Sequence, residues 1–425
     1  MNGIFFAIVA LSFAVAGVRQ VMAPAGMAPG TSPMEVLGSG MIEGAAGAVT
    51  LAIGLIGVMA LFLGLMKVAE AGGLLAVVAR TLRPLMVRLF PDVPADHPAM
   101  GAMIMNLSAN ALGLGNAATP FGIRAMQQLD RLNPEKGTAT NAMALFLAIN
   151  TSSVTLLPTG VIALRAAAGS ADPAGIVPTT LFATICSTTV AILGAKFYAR
   201  FFSGGQSTPN LPGDAAEAGP ADEEAGAYPL WVSALALACV AALVPVTVFW
   251  GKAIAPWIVP GLAVAFLGYG FAKKVPVYET FVEGAKEGFQ VAVRIIPFLV
   301  AILAAVAMFR ASGAMEMLLT PLGRLTAHIG LPAEALPMAL LRPLSGSGAY
   351  GILAAVLNDP TLGPDSYVGY LVSTLQGSTE TTFYVIAVYF GAVQVKRMRH
   401  ALWAALTADA VGIAAAAFIC SLIYG

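Results

Sequence analysis

The sequence predicts an all-α, polytopic membrane protein: about nine transmembrane helices plus two re-entrant helical hairpins, arranged as two inverted repeats. Three observations lead there. Of 425 residues, 58% are hydrophobic and only 10% are charged, against about 25% charged in ordinary soluble domains. Apolar runs of about 20 residues, the length that crosses a bilayer as a helix, recur along the chain. Unusual features of the first half return in the same order in the second. The 22 acidic and 22 basic residues balance, and no surplus of positive charge is clustered, which excludes a nucleic-acid binder. A cytosolic globular enzyme of this composition could not cover its surface with polar groups.

The first apolar run, 2–18, has no basic stretch before it and no clear cleavage site, so it reads as a retained helix rather than a signal peptide. Runs at 44–68, 138–164 and 179–201 follow. A hydrophilic stretch at 203–227 carries Asp214, Glu217, Asp222, Glu223 and Glu224 among Pro and Gly, with no basic residue; it reads as a linker between halves at 1–202 and 228–425. Further runs lie at 229–250, 255–272, 288–309, 366–392 and 401–424. Segments 74–90 and 314–329 are amphipathic, with Arg80, Arg83 and Arg88 in one and Glu316, Arg324 and His328 in the other. They read as helices lying in the membrane interface. Each is followed by a glycine-broken apolar piece too short in either half to cross: NLSANALGLGNAATPFG (106–122) and RPLSGSGAYG (342–351). A hairpin that enters and leaves on one side fits both.

The repeat is visible in three pairs of strings. VPADHPAM (93–100) matches LPAEALPM (331–338), FGI (121–123) matches YGI (350–352), and LFLAINTSSVT (145–155) matches LVSTLQGSTET (371–381), with Asn150 opposite Gln376. With the N-terminus inside, most basic residues fall inside, among them Lys67, Arg80, Arg83, Arg88, Lys273, Lys274 and Arg397; Arg19, Arg165, Lys252, Arg310 and Arg324 fall outside. The first repeat then begins with an inward-going span and the second with an outward-going one. Inverted repeats with interrupted helices are a pattern of secondary transporters, with the site near the midplane.

Polar groups at membrane depth need a partner or a cavity. The candidate solute-binding residues are Asn106, Asn110, Asn116, Thr119, Asn150, Ser152 and Ser153 in the first repeat. In the second they are Arg342, Ser345, Ser347, Gln376, Ser378, Thr379 and Glu380. Ser, Thr and Asn also join membrane helices by hydrogen bonds, so single hydroxyls carry little weight and the clusters carry more. Arg342 and Glu380 are the sharpest, because a charge at the bilayer centre costs roughly 2.5–3.5 kcal/mol. Either Arg342 binds a solute anion while Glu380 takes a proton or a solute hydroxyl, or the two form a structural pair. Asp409 and Arg294 are weaker candidates.

Other signals are set aside. GLGNAA (113–118) follows no strand and is not a dinucleotide turn. There is no phosphate-binding loop, hence no nucleotide motor in this chain. A serine nucleophile at Ser345 or Ser347 would need a base in reach, and His97, His328 and His400 lie near segment ends. Cys186, Cys239 and Cys420 are scattered in apolar runs and suggest no disulfide or metal site. No enzyme, cofactor or metal is expected.

The strings HPAMGAMIMNLSANALGLGNAATPFG (97–122) and TATNAMALFLAINTSSVTLLPTGVIALRAAAGSADP (138–173) resemble spore maturation protein A. VPVYETFVEGAKEGF (275–289), RPLSGSGAYGIL (342–353) and QGSTETTFYVIAVYFG (376–391) resemble spore maturation protein B. The chain looks like a fusion of the two, and both belong to the Gate, or nucleoside recognition, family. The resemblance implies a multi-pass protein of a bacterial inner membrane, the charge distribution places its N-terminus in the cytoplasm, and the spore proteins are linked to dehydration of the spore core. It points to a transporter-like protein moving a small polar or anionic solute, a nucleoside or small carboxylate, coupled to H⁺ or Na⁺. The alternative is a non-transporting membrane protein with a structural or regulatory role in envelope or spore maturation. The expected partners are the solute and the lipid bilayer; the sequence leaves a homo-oligomer open.

Overall fold

A computed structural model describes residues 2–23, 28, 30–113, 115–152, 155–202 and 228–425. Ser153 and the linker at 203–227 lie outside the described residues, as do the side chains of Asn116 and Arg294. The first half contains α1 (Asn2–Met22), α2 (Pro33–Ala71), α3 (Leu74–Leu89), α4 (Pro98–Ala111), α5 (Gly115–Arg131), α6 (Asn141–Ser152), α7 (Thr159–Ala167) and α8 (Ile176–Tyr198). The second contains α9 (Leu230–Ala272), α10 (Val277–Ala311), α11 (Ala314–Thr326), α12 (Leu336–Leu341), α13 (Gly346–Leu357), α14 (Tyr367–Ser378), α15 (Thr382–Ala392) and α16 (Ala401–Tyr424). No strand occurs among the described residues. Four of the described helices, α1, α2, α8 and α16, are long and apolar enough to cross a membrane.

From α2 to α8 and from α10 to α16 the two halves run through the same elements. A long helix meets an amphipathic one at a sharp corner, where Gly73 (φ +86°) and Gly313 (φ +78°) supply the left-handed residue that a side chain would strain. A helical pair follows, α4–α5 or α12–α13. Next comes a helix broken in the middle, α6–α7 or α14–α15, and last an unbroken apolar helix. Caps set the boundaries locally. Ser32 and Glu35 form a reciprocal capping box at α2, with Pro33 at its first position. His97 accepts from Ala99 N ahead of Pro98 at α4, and Ser345 and Ser366 cap α13 and α14.

The halves are inverted. Gly44 of α2 lies against Leu303 and Ala307 of α10, Gly64 against Phe281, and Gly288 of α10 against Met59 and Ala60. Numbers rise along one helix as they fall along the other, so α2 and α10 are antiparallel. Small residues let the backbones close in, the usual means of helix contact in lipid. At one end Ala139 N donates to Arg397 O at 2.9 Å; at the other Arg165 of α7 reaches Pro364 O and Asp365, just before α14. The two broken helices therefore also run antiparallel.

Two expected spans, 229–250 and 255–272, fall within the single helix α9. Its two ends return to one corner: Tyr228 N donates to Arg80 O at 3.4 Å, and Gly270 packs on Val68. A straight helix of 43 residues is about 65 Å long, whereas residues 68 and 80 can be at most about 43 Å apart. The helix is therefore bent rather than straight.

Two apolar cores sit at opposite ends. One packs α4 and α5 with α6, α15 and the start of α16, through Met103, Phe146 and Phe390. The other packs α12 and α13 with α7, α14 and the end of α16, through Leu164, Leu353 and Leu371. Each hairpin is thus gripped by one half of each broken helix. Between the cores lies the level of the two breaks, and there the polar residues collect.

His400, just before α16, is fully buried with no hydrogen-bond partner at either ring nitrogen. Burial, and after it the Arg399 guanidinium, pushes it down to about 4 from an ordinary value of 6.5. The unfolded chain takes up this proton as pH drops below about 6.5, and the folded chain resists until about 4. The melting temperature is therefore expected to fall across that window. In His400→Gln the fall should be visibly shallower in a thermal melt recorded at successive pH values.

Candidate solute-binding site

The first break follows Ser152 and ends at Pro158, which disfavours helix in the residue before it. The second covers residues 379–381, with Thr379 and Thr381 both extended. The breaks meet: Glu380 N donates to Thr151 O at 2.8 Å. Each hairpin tip is tied to the broken helix of its own repeat, Leu156 N donating to Ala111 O at 2.9 Å and Phe383 N to Pro343 O at 3.0 Å. Thr184 Oγ1 donates to Ser152 O at 3.0 Å. Protein donors thus take up backbone carbonyls at the C-terminal ends of α4 and α6 and at the turn after α12, as buried backbone requires.

A cavity of about 210 Å³ remains where the four interrupted pieces converge. The first turns of α7 (Thr159, Gly160, Val161) and α13 (Gly346) face it, together with Asn110, Thr155, Arg342, Tyr350, Gln376 and Thr379–Thr381. Helix N-termini carry partial positive charge. With the Arg342 guanidinium they make the wall electropositive, and Glu380 is the one acid among its lining residues. Arg342, 5% exposed, spans the second break. Its Nη1 donates to Thr381 Oγ1 at 2.9 Å, Nη2 donates to Thr379 O, and Nη2 stands 3.9 Å from a Glu380 oxygen. Gln376 Oε1 is buried without a partner.

Of the residues expected from sequence, the structure brings Asn110, Arg342, Gln376, Thr379 and Glu380 to the cavity. Asn150 lies one layer behind, accepting from Asn110 Nδ2 at 2.9 Å and donating to Phe146 O. Asn106 is further back, donating to Ala118 O at 2.7 Å and to Tyr389; it holds the first hairpin together. Ser152 joins α6 to α8 through Thr188 at 3.1 Å. Ser345 caps α13, with Ser347 3.5 Å from it. Ser378 donates to Leu375 O. Thr119 does not line the cavity. Asn116 and Ser153 lie outside what is described.

Tyr350 and Thr159 were not expected. Tyr350 had a signal: the matched strings YGI and FGI place a hydroxyl-bearing ring where the first repeat has Phe121. The charge pattern alone marks Arg165 only as an outer charge. It is fully buried, donating to Pro364 O at 2.7 Å, Ser373 Oγ, Ser170 Oγ, Asp172 O and Asp365. It also stacks 4.2 Å from the centre of the Tyr370 ring.

Inverted halves, paired hairpins and broken helices closing on one polar cavity define a multi-pass helical membrane protein of internal-repeat architecture. The chain belongs to the Gate family, described as nucleoside recognition: the family model matches residues 52–168 and 292–396, together more than half of the chain. Both matched stretches begin inside the long helix of a repeat and end just beyond its broken helix. Two relatives each cover a different part. Spore maturation protein B of Bacillus subtilis (strain 168) is 46% identical over 168 residues, 40% of this chain and 93% of that protein. Spore maturation protein A of the same strain is 46% identical over 165 residues, 39% of this chain and 84% of that protein. The pair of matches is consistent with a fusion. No solved structure matches the chain.

Proposed function

We propose that the protein is a secondary transporter of a small anionic solute, held in the cavity between the two breaks. The observation that carries this reading is the guanidinium of Arg342 facing a space of about 210 Å³ beside the first turns of α7 and α13. That arrangement stabilises negative charge. The space holds roughly seven waters at about 30 Å³ each. It is below the 300–1,000 Å³, roughly, of sites for drug-sized ligands. A short carboxylate suits it better than a nucleoside. The inverted halves supply the two arrangements that alternating access needs.

A melting-temperature screen of the purified protein with acetate, pyruvate and uridine, each at saturating concentration, tests this. Acetate or pyruvate is expected to raise the melting temperature and uridine to leave it unchanged. Stabilisation by uridine alone would move the assignment to nucleosides.

A further inference from the structure

Behind Arg342, on the side away from the cavity, lies Asp409 in the middle of α16. The residue is 4% exposed. Thr382 Oγ1 donates to Oδ2 at 2.6 Å, and Oδ1 is buried with no hydrogen-bond partner. Arg342 and Thr379 border with Asp409 a gap too small for a water molecule, and those same two residues also line the central cavity. Arg342 therefore stands between the cavity and a buried acid.

The elements packed around Asp409 contribute little other charge. From α8 comes Ser187, whose Oγ donates to Ala408 O; from α14 and α15 come Ser378, Thr379 and Thr382; from the second hairpin comes Arg342. Glu380 stands beyond Arg342, on the cavity side. Among the described residues, the hydrogen bonds of the Arg342 guanidinium go to the second break and none to Asp409. An ionised carboxylate with one bare oxygen in such a place is costly. A proton on Oδ1 removes the cost.

We propose that Asp409 is the coupling-proton site, linked to the solute cavity through Arg342. With the proton on, Arg342 belongs to the cavity and its anion. With the proton off, the Asp409 carboxylate competes for the same guanidinium and the cavity loses its hold. The bond that forms or breaks is the O–H of the carboxyl, and the proton comes from and returns to water. The proposal deepens the transport reading and rests on it.

Infrared difference spectroscopy of the protein in nanodiscs, titrated from acid to alkaline pH, tests it without any solute. A protonated-carboxyl band is expected at the acid end of the titration in the unsubstituted protein and in Glu380→Gln, and is expected to be absent in Asp409→Asn. In Arg342→Gln the band should persist about one pH unit higher, a tenfold change in proton affinity, because the competing cation is gone. Asp409→Glu, which keeps the acid, should shift the band rather than remove it, and serves should the asparagine variant not fold. A band that survives in Asp409→Asn, or one indifferent to Arg342→Gln, would overturn the proposal. Acetate supplies a separate arm: its stabilising effect should fade as pH rises in the unsubstituted protein and persist in Asp409→Asn. If acetate has no effect at any pH, the solute assignment fails while the infrared result still decides the role of Asp409.

Discussion

Arg165→Ala is expected to cost several kcal/mol of stability, because it strands buried acceptors at about 1–3 kcal/mol each; the ion pair itself adds little, since the Asp365 side chain is 37% exposed. That is a large share of the 5–15 kcal/mol, roughly, that holds a folded protein together. The side chain is completely buried and closes one end of the inter-repeat contact. It bonds Pro364 O, Asp365 and Ser373 of the second half, and Ser170 and Asp172 O of its own. Its loss strands the carbonyls and leaves Asp365 with only Ser170 Oγ and Ala171 N. Arg165→Lys should rescue little, because a point charge cannot fork to five acceptors and stack on Tyr370 as well. Fluorescence-detected size-exclusion after detergent extraction would read the outcome: a collapsed monodisperse peak for both variants, with no dependence on added solute.

Arg342→Ala is expected to separate binding from folding. Charged hydrogen bonds contribute about 1.5–3 kcal/mol each, so carboxylate affinity should fall roughly 10–100-fold. The Glu380 contact is a weak one, 3.9 Å long with the carboxylate 45% exposed, and exposed pairs are worth about 0–1 kcal/mol. Glu380→Gln should therefore leave stability nearly unchanged, and the double variant should bind no better than Arg342→Ala alone. Full recovery of binding in the double variant would mark the two charges as a structural pair.

What the chain declares in advance follows from what a bilayer forbids. Charge, glycine and amide groups at membrane depth have few explanations, so the hairpins, the two polar interruptions and Arg342 with Glu380 were legible from residue type and spacing. Asn150 and Gln376 each stand just before the break that follows. The depth of each polar group was not legible. Asn106, Ser152 and Ser345 have the same chemistry as the cavity residues, yet their partners are carbonyls, hydroxyls and helix ends of the scaffold. Only the crossing of the two halves decides which side of a helix looks inward. Arg165 was hidden for a related reason. It sits at the end of a span, where arginine ordinarily reaches water, and three of its five acceptors lie about 200 residues away in sequence. The bend in α9 has no glycine or proline pattern distinct from an ordinary pair of spans.

The central claim is that the interruption of one repeat touches the interruption of the other. A Cβ built at Gly377 would lie 3.1 Å from Pro158 Cβ, near the 3.5–4.5 Å, roughly, that disulfides span. Pro158→Cys and Gly377→Cys can be combined in a chain whose Cys186, Cys239 and Cys420 are replaced, with a protease site placed in the acidic linker. After mild oxidation and cleavage, the account predicts that the two halves migrate together until reductant is added. Halves that separate without reductant, while each single-cysteine control is folded and reactive, would contradict it.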